Sequence, residues 1–413
     1  MTVFGCNSSN GKKSAVRFGL LFLCASVVFV SCGKKEEKKP VEKLNVKIFL
    51  SGTNLKVKAF EPIFKEFEAA HGGVVVNATV ETADPGKVKD DPALYIGQAD
   101  VILFPSAFNA ALRSRPDAYY PISATMTVMP PLIDKAYIAA DGTSNWALPL
   151  LIDPVVIAFK KAASEIIGEN KPPRDWAKIS MISGMKRSEG TTMPHLVFIT
   201  DSPYGLTDSL AAFQMAAGFY QDQVREIAVN KEEYEMFGVK AFGQAILNLK
   251  TYLKESEGPV EEIPQLSNVS EFVQSKSLIA FTRYSSVMSL PSNERDQLYL
   301  LLPPCDEKKM TIPCQVAAGA LPMEASNPKR GMDFLNFLLS HIDVVAKAQG
   351  YCTLHEAENG KADLRFAPGV YFVVRDNEAI INQKTAIDAM NGRLPVEEFN
   401  ERWAEGFNLP KNN

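Results

Sequence analysis

Residues 44–80 read LNVKIFLSGTNLKVKAFEPIFKEFEAAHGGVVVNATV, and the periodicities in this stretch decide the fold class. Leu44 to Leu50 alternates apolar and polar residues as a strand does, and Ser51-Gly52-Thr53-Asn54 breaks the run with turn residues. Phe60, Phe64, Phe67 and Ala70 then recur at helical spacing up to the Gly72-Gly73 stop. Val74 to Val80 is rich enough in β-branched residues to form a second strand. A strand, a helix and a strand in this order predict a parallel pair with the helix packed against it.

The same alternation continues outward. Asp100 to Phe104 reads as a third strand, and Ser106 is expected to cap a helix running to about Arg113. Ligands of such sheets bind outside the carboxyl ends of strands, which points to the loops at Ser51–Asn54 and Phe104–Ser106. Trp146 to Leu150 and Val155 to Lys160 are two extended runs, and Pro154 after Asp153 is expected to interrupt them, marking a hinge between lobes. Val197 to Thr200 is a further strand, leading through Asp201-Ser202-Pro203-Tyr204-Gly205 into a helix from about Asp208 to Gly218. Phe242, Ile246, Leu249 and Leu253 mark an amphipathic helix, and Leu278 to Arg283 returns to strand. Helices are expected at Pro328–Ser340 and Pro395–Phe407. The fold class is therefore α/β, a mostly parallel sheet with helices on both faces.

Composition bounds the function classes. The 413 residues are 46% hydrophobic and 9% aromatic, as in a folded chain, and at about 150 residues per domain the length suits two or three domains. The net charge of −4, with no sustained Lys/Arg stripe, weighs against nucleic acid as the main partner.

Lys12, Lys13 and Arg17 precede an apolar stretch from Phe18 to Val30, the order of a secretory signal over residues 1–31. Ser31-Cys32-Gly33 resembles a bacterial lipobox, which would make Cys32 the lipidated mature N-terminus and anchor the chain to a membrane. Phe29 and Val30 depart from the common pattern, and a plain signal peptide or a short membrane anchor is the alternative. Loss of the three leader cations takes the net charge from −4 to −7. Residues 32–43 hold the charged run Gly33 to Pro40, expected to be a flexible tether. No later apolar run approaches the roughly 18 residues of a membrane span, so the remainder is expected to be soluble. Beyond Cys6, Cys24 and Cys32, three cysteines remain: Cys305 and Cys314 could close a short loop, or all three, with Cys352, could be buried thiols.

Several motifs then stand in order. They are Ala99-Asp100-Val101-Ile102-Leu103-Phe104; Trp146-Ala147-Leu148-Pro149 followed by Ile157-Ala158-Phe159-Lys160-Lys161; Lys171-Pro172-Pro173-Arg174-Asp175-Trp176; Lys276 to Phe281 with Tyr284; Asn327-Pro328 through Phe334-Leu335-Asn336-Phe337-Leu338; and Asn391 to Glu398. Together they resemble the family 1 extracellular solute-binding proteins of bacterial ABC importers, from about Leu44 to Phe407. The resemblance implies the periplasmic-binding-protein type II fold: two lobes, each a mostly parallel sheet flanked by helices, with a ligand cleft between them, lobe 1 at 44–152 plus 300–319 and lobe 2 at 153–299 plus 320–413. It also implies a monomer that binds a small solute, a carbohydrate above all, and hands it to permease subunits without catalysis, cofactor or metal.

A closing cleft needs polar groups at strand ends and flat apolar faces. The resemblance places stacking rings at Tyr204, Tyr284 and Phe104, a hinge carboxylate at Asp153, and polar contacts at Thr53, Asn54, Ser106 and Ser202. Trp146 lies beside the hinge, and Gly319 would let backbone approach closely. Core packing competes for Phe104 and Trp146, packing against its own helix start for Tyr204, and a turn cap for Asp153. Thr53, Ala107 and Ser202 replace acids of the maltose-binding members, which disfavours maltodextrin. Arg283 suits a phosphate or carboxylate, so an anionic solute such as a phosphorylated polyol is one alternative; a structurally paired arginine is the other reading of that residue. A surface interaction or sensor protein without a transported ligand is a further alternative. The adjacent Tyr119-Tyr120 resembles the tyrosine pairs of ferric-binding relatives but lies in the wrong part of the chain for iron, before the first crossover. Enzyme motifs fail: His355-Glu356 lacks a second histidine at Asn359, and no Gly-x-Ser-x-Gly elbow, phosphate-cradling loop or Cys-x-x-Cys occurs.

Overall fold

A computed structural model of the chain describes residues 41–50, 55–123, 137–139, 144–166, 168, 179, 181–182, 195–202, 204–220, 259–302, 310–353, 370–374, 383–395 and 398–399. The leader with Cys32, Thr53, Asn54, Lys171 to Trp176, Pro203, Phe242 to Leu253, Cys305, His355 to Asn359 and most of Pro395 to Phe407 lie outside the described residues.

Among the described residues, eleven strands form one sheet: β1 (Glu42–Phe49), β2 (Val74–Glu81), β3 (Val101–Pro105), β4 (Leu148–Lys160), β5 (Leu196–Ile199), β6 (Gln265–Leu266), β7 (Ile279–Arg283), β8 (Leu298–Leu301), β9 (Met310–Ala320), β10 (Cys352–Thr353) and β11 (Val370–Val374). Its path runs β2-β1-β3-β9-β4-β7-β5-β6; β8 and β10 also pair with β4, and β11 with β9. The helices that matter here are α1 (Glu61–Ala70), α2 (Gly205–Tyr220), α3 (Tyr284–Met288), α4 (Pro328–Ser340), α5 (Ile342–Gln349) and α6 (Gln383–Met390).

β1 pairs parallel with β2 and β3, and β5 pairs parallel with β6 and β7. Between these parallel ends, β3–β9, β9–β4 and β4–β7 are antiparallel. Each end of the sheet is thus parallel, as the sequence predicts for each lobe, and β4 and β9 cross antiparallel between the two parallel groups.

Pro154 does not interrupt β4, which is continuous over 13 residues. β4 pairs with β9 up to Pro154 and with β7 from Val155 onward. The proline's missing N–H therefore falls where the strand exchanges neighbours, a position at which a lost ladder bond costs least. A register shift between Ala317 and Ala318 leaves Leu150 as the extra residue in β4, and both Leu150 and Leu151 reach the same core.

Strand alternation sorts the side chains into three apolar cores. On one face of the sheet, a first core gathers Leu44, Val46, Ile48, Leu103, Leu151 and Ala317 under α1 and α4. On the same face beyond Asp153, a second core gathers Val155, Ile157, Phe159, Phe281 and Phe198 under α2 and α6. A third core containing Ile152, Val156, Ala158, Val316 and Ala280 runs along the opposite face.

α1 forms because Ile63, Phe64 and Phe67 share a buried stripe, with Pro62 in the first turn and Gly73 (φ 95°) beyond the end. Phe67 meets Phe334 edge-on at 5.2 Å, locking α1 to α4. α4 and α5 therefore pack on the first core, while α6 packs on the second. Ser106 does not cap a long helix: a 3₁₀ turn at Ser106–Phe108 and a short helix at Asn109–Leu112 follow β3, and its hydroxyl accepts the buried Val316 N–H at 3.1 Å. Cys314 and Cys352 are buried free thiols, and Cys305, the other half of the expected loop, lies outside the described residues. No helix among the described residues is long and apolar enough to cross a membrane.

Candidate functional site

The first and second cores share a face of the sheet but are separated by a polar seam. β4 contributes Leu151 to one core and Val155 and Ile157 to the other; the intervening residue on that face is Asp153. Gln315 of β9 stands directly opposite Asp153, and Arg283 of β7 stands opposite Val155. Alternation therefore puts Asp153, Gln315 and Arg283 on one face, between two apolar bodies.

All three side chains are buried. Asp153 Oδ1 accepts the Ser285 N–H at 2.8 Å and Oδ2 accepts the Ser285 hydroxyl at 2.7 Å, so the carboxylate holds the start of α3. Burial pushes its pKa from 3.8 up to about 6, with Asp201 adding to the rise, against the opposing effects of Arg283 and the Ser285 hydrogen bonds. Arg283 Nη2 donates to Asp208 Oδ2 at 2.6 Å in an ion pair whose partners are only 2% and 4% exposed. Burial opposes the guanidinium charge, but Asp208, then Asp153, Tyr351 and Asp201, outweigh it and raise its pKa. Arg283 is thus structurally paired. Ser286 donates to Asp201, which closes a second carboxylate onto α3.

Several buried polar atoms here have no hydrogen-bond partner among the described residues: Nε and Nη1 of Arg283, Nε2 and Oε1 of Gln315, and Oγ of Ser202. Buried polar groups are rarely left open, because each unsatisfied group costs about 1–3 kcal/mol. Clustered in one seam, they leave donors and an acceptor unused in a low-dielectric setting.

Local sequence positions these groups. The turn after β5 brings Gly205 so close that a Cβ there would lie 2.9 Å from Thr200 Cα and 3.0 Å from Ile199 O. That contact sets α2 against the strand end, with Tyr204 at its start and Asp208 one turn in, the Asp208 N–H donating to the Tyr204 carbonyl at 2.9 Å. Tyr204 and Tyr284 are both buried, at 3% and 8% exposure, and Tyr284 sits between Arg283 and Ser285.

Other sequence-predicted residues lie in the interior. Phe104 is fully buried and stacks on Trp146 at 5.5 Å, and Tyr119 and Tyr137 flank the indole at 5.4 and 5.8 Å. Phe104 and Trp146 both belong to the core on the opposite face of the sheet. A Cβ on Gly319 would lie 2.7 Å from Leu335 Cδ2 and 3.2 Å from Leu103 Cδ2, so this glycine admits α4 against the sheet. Sequence reasoning missed Gln315, Ser285, Asp208 and Asp201. The signal for Gln315 was its isolation within the apolar run Ile312–Ala320; the others became visible only through partners distant in the chain.

No protein-family model matches the sequence, and no curated protein matches it. Solved structures do. A sugar-binding protein MalE from Xanthomonas citri superposes with a TM-score of 0.61 at 13% identity, covering 88% of this chain and 97% of its own. An ABC transporter solute-binding protein from Thermotoga lettingae bound to α-D-tagatose gives 0.59 at 15% identity, with 89% and 99% covered. A cyclic α-maltosyl-1,6-maltose binding protein from Arthrobacter globiformis gives 0.60 at 15% identity, with 89% and 98% covered. The chain has the two-lobed fold of these solute-binding proteins.

Proposed function

We propose that the chain is the substrate-binding protein of an ABC importer, that it is exported and held to a membrane through a lipid on Cys32, and that it captures a sugar between its two lobes for delivery to a permease. The observation that carries this reading is the buried seam of Asp153, Arg283 and Gln315, where hydrogen-bonding atoms stand open between two apolar cores. A pair of lobes that desolvates a polyhydroxylated solute fills such positions, and closure follows from contacts made only when the lobes meet. The shared fold of the X. citri and T. lettingae proteins, described respectively as sugar-binding and as bound to tagatose, supports the same ligand class. Tyr204, one turn before Asp208 of α2, supplies a ring and Ser202 a hydroxyl, whereas Tyr284 packs with Phe104 and Trp146 in the core on the opposite face of the sheet; Thr53 and Asn54 follow β1, where a lobe-1 contact belongs.

Thermal-shift screening of the mature chain against sugars, phosphorylated polyols, oligopeptides and metal ions tests the reading. A ligand at a hundredfold its Kd stabilises the folded form by about 2.7 kcal/mol. The expected result is a shift with at least one sugar. A flat panel overturns the transport reading.

A further inference from the structure

The seam also restricts which solutes it accepts. Its open atoms are Nε and Nη1 of Arg283 and Nε2 of Gln315 as donors, Oε1 of Gln315 as an acceptor, and the Ser202 hydroxyl, which can do either. A ligand must therefore bring oxygen acceptors. Charge restricts which oxygens. Arg283 is already neutralised by Asp208 at 2.6 Å, and Asp153 and Asp201 add two further carboxyl groups to the same electrostatic neighbourhood. An arriving carboxylate or phosphate would meet an arginine with no charge to spare and a surplus of acid around it, in a setting where water screens little.

We propose that Arg283 and Gln315 anchor the solute through hydrogen bonds to uncharged oxygens, and that the Asp153, Asp201 and Asp208 group makes the site reject anions. The arginine is then a neutral-ligand receptor whose charge is spent on Asp208. Gln315, with one acceptor and an amide donor side by side, suits a hydroxyl that both gives and takes a hydrogen bond. This inference rests on the proposed solute-binding function and sharpens it, because it decides between the sugar and the anionic-solute readings that the sequence leaves open.

The test is titration calorimetry of the mature chain with matched probes: glucose, galactose, tagatose and maltose against glucuronate, galacturonate, glucose 6-phosphate and glycerol 3-phosphate. A neutral sugar is expected to bind, with its charged counterpart at least about a hundredfold weaker, as opposed like charges in a desolvated site cost several kcal/mol. Arg283→Met strands the buried Asp208 and is a poor probe by itself, so Gln315→Leu is the informative variant. It removes only open polar atoms, so its Tm is expected to equal or exceed that of the parent, while the affinity for the neutral sugar drops by about tenfold or more. A structural role for Gln315 would lower Tm and spare affinity. An anionic probe that binds more tightly than its neutral counterpart, or a Gln315→Leu variant with unchanged affinity, overturns the inference and leaves solute binding standing. A panel in which nothing binds overturns both together.

Discussion

Replacing Asp153 by asparagine asks whether the carboxyl at the crossing of the two halves is an electrostatic burden on the fold. Burial carries its pKa from 3.8 to about 6 although Arg283 and Ser285 pull the other way. Between those values the folded chain keeps a proton that the unfolded chain has released, so unfolding releases protons and stability falls with rising pH. The contribution is fully present below pH 3.8 and lost as pH rises through about 6. At about 1.36 kcal/mol per pH unit, the loss amounts to about 3 kcal/mol by neutral pH. Asparagine fits the same space: its carbonyl accepts the Ser285 N–H, its amide donates to the Ser285 hydroxyl, and Arg283 keeps Asp208. Urea unfolding followed by circular dichroism at pH 4, 5, 6 and 7 reads the effect. The stability of Asp153→Asn relative to the parent is expected to rise by about 2–3 kcal/mol across that range. A difference that stays constant with pH refutes the claim that burial raises the pKa of Asp153.

The remaining predictions concern the anchor, the ring beside the seam and the packing that aims it. Cys32→Ser is expected to move the protein from the membrane to the soluble fraction in cell fractionation; retention at the membrane would overturn lipidation at that residue. Tyr204→Ala is expected to weaken sugar binding by about 1–3 kcal/mol in calorimetry, the range for a truncated aromatic anchor, and equal affinity would remove it from the site. Gly205→Ala forces α2 away from Thr200 and Ile199 and is expected to lower stability by about 1–3 kcal/mol in urea unfolding, as overpacking does, with no loss expected if the turn yields freely. Phe104→Ala empties a fully buried site against Trp146 and is expected to cost about 3–5 kcal/mol in the same assay; a small loss would contradict its core placement.

What the sequence made legible were the elements whose patterning is local. β1, α1 and β2 appear within a residue or two of where the period predicts them, and α4 spans Pro328 to Ser340 as read, since Phe334, Leu335 and Leu338 mark its buried stripe. Elements decided by distant partners were less legible. Pro154 reads as a break because nothing nearby reveals that β9 ends its pairing there and β7 begins. Ser106 reads as a helix cap because the competing N–H belongs to Val316, far along the chain. At the site, Asp153 stands out through the family resemblance and Arg283 through its place beside Tyr284, whereas Asp208, Ser285 and Gln315 acquire meaning only when β4, β7, β9 and α2 converge.

The direct measurement of sugar capture is native mass spectrometry of the chain isolated from its own cells without denaturation. The predicted species is a complex heavier than the bare chain by the mass of an uncharged sugar, which is released on unfolding and rebinds on titration. A chain that flies bare and takes up no sugar when titrated would contradict it.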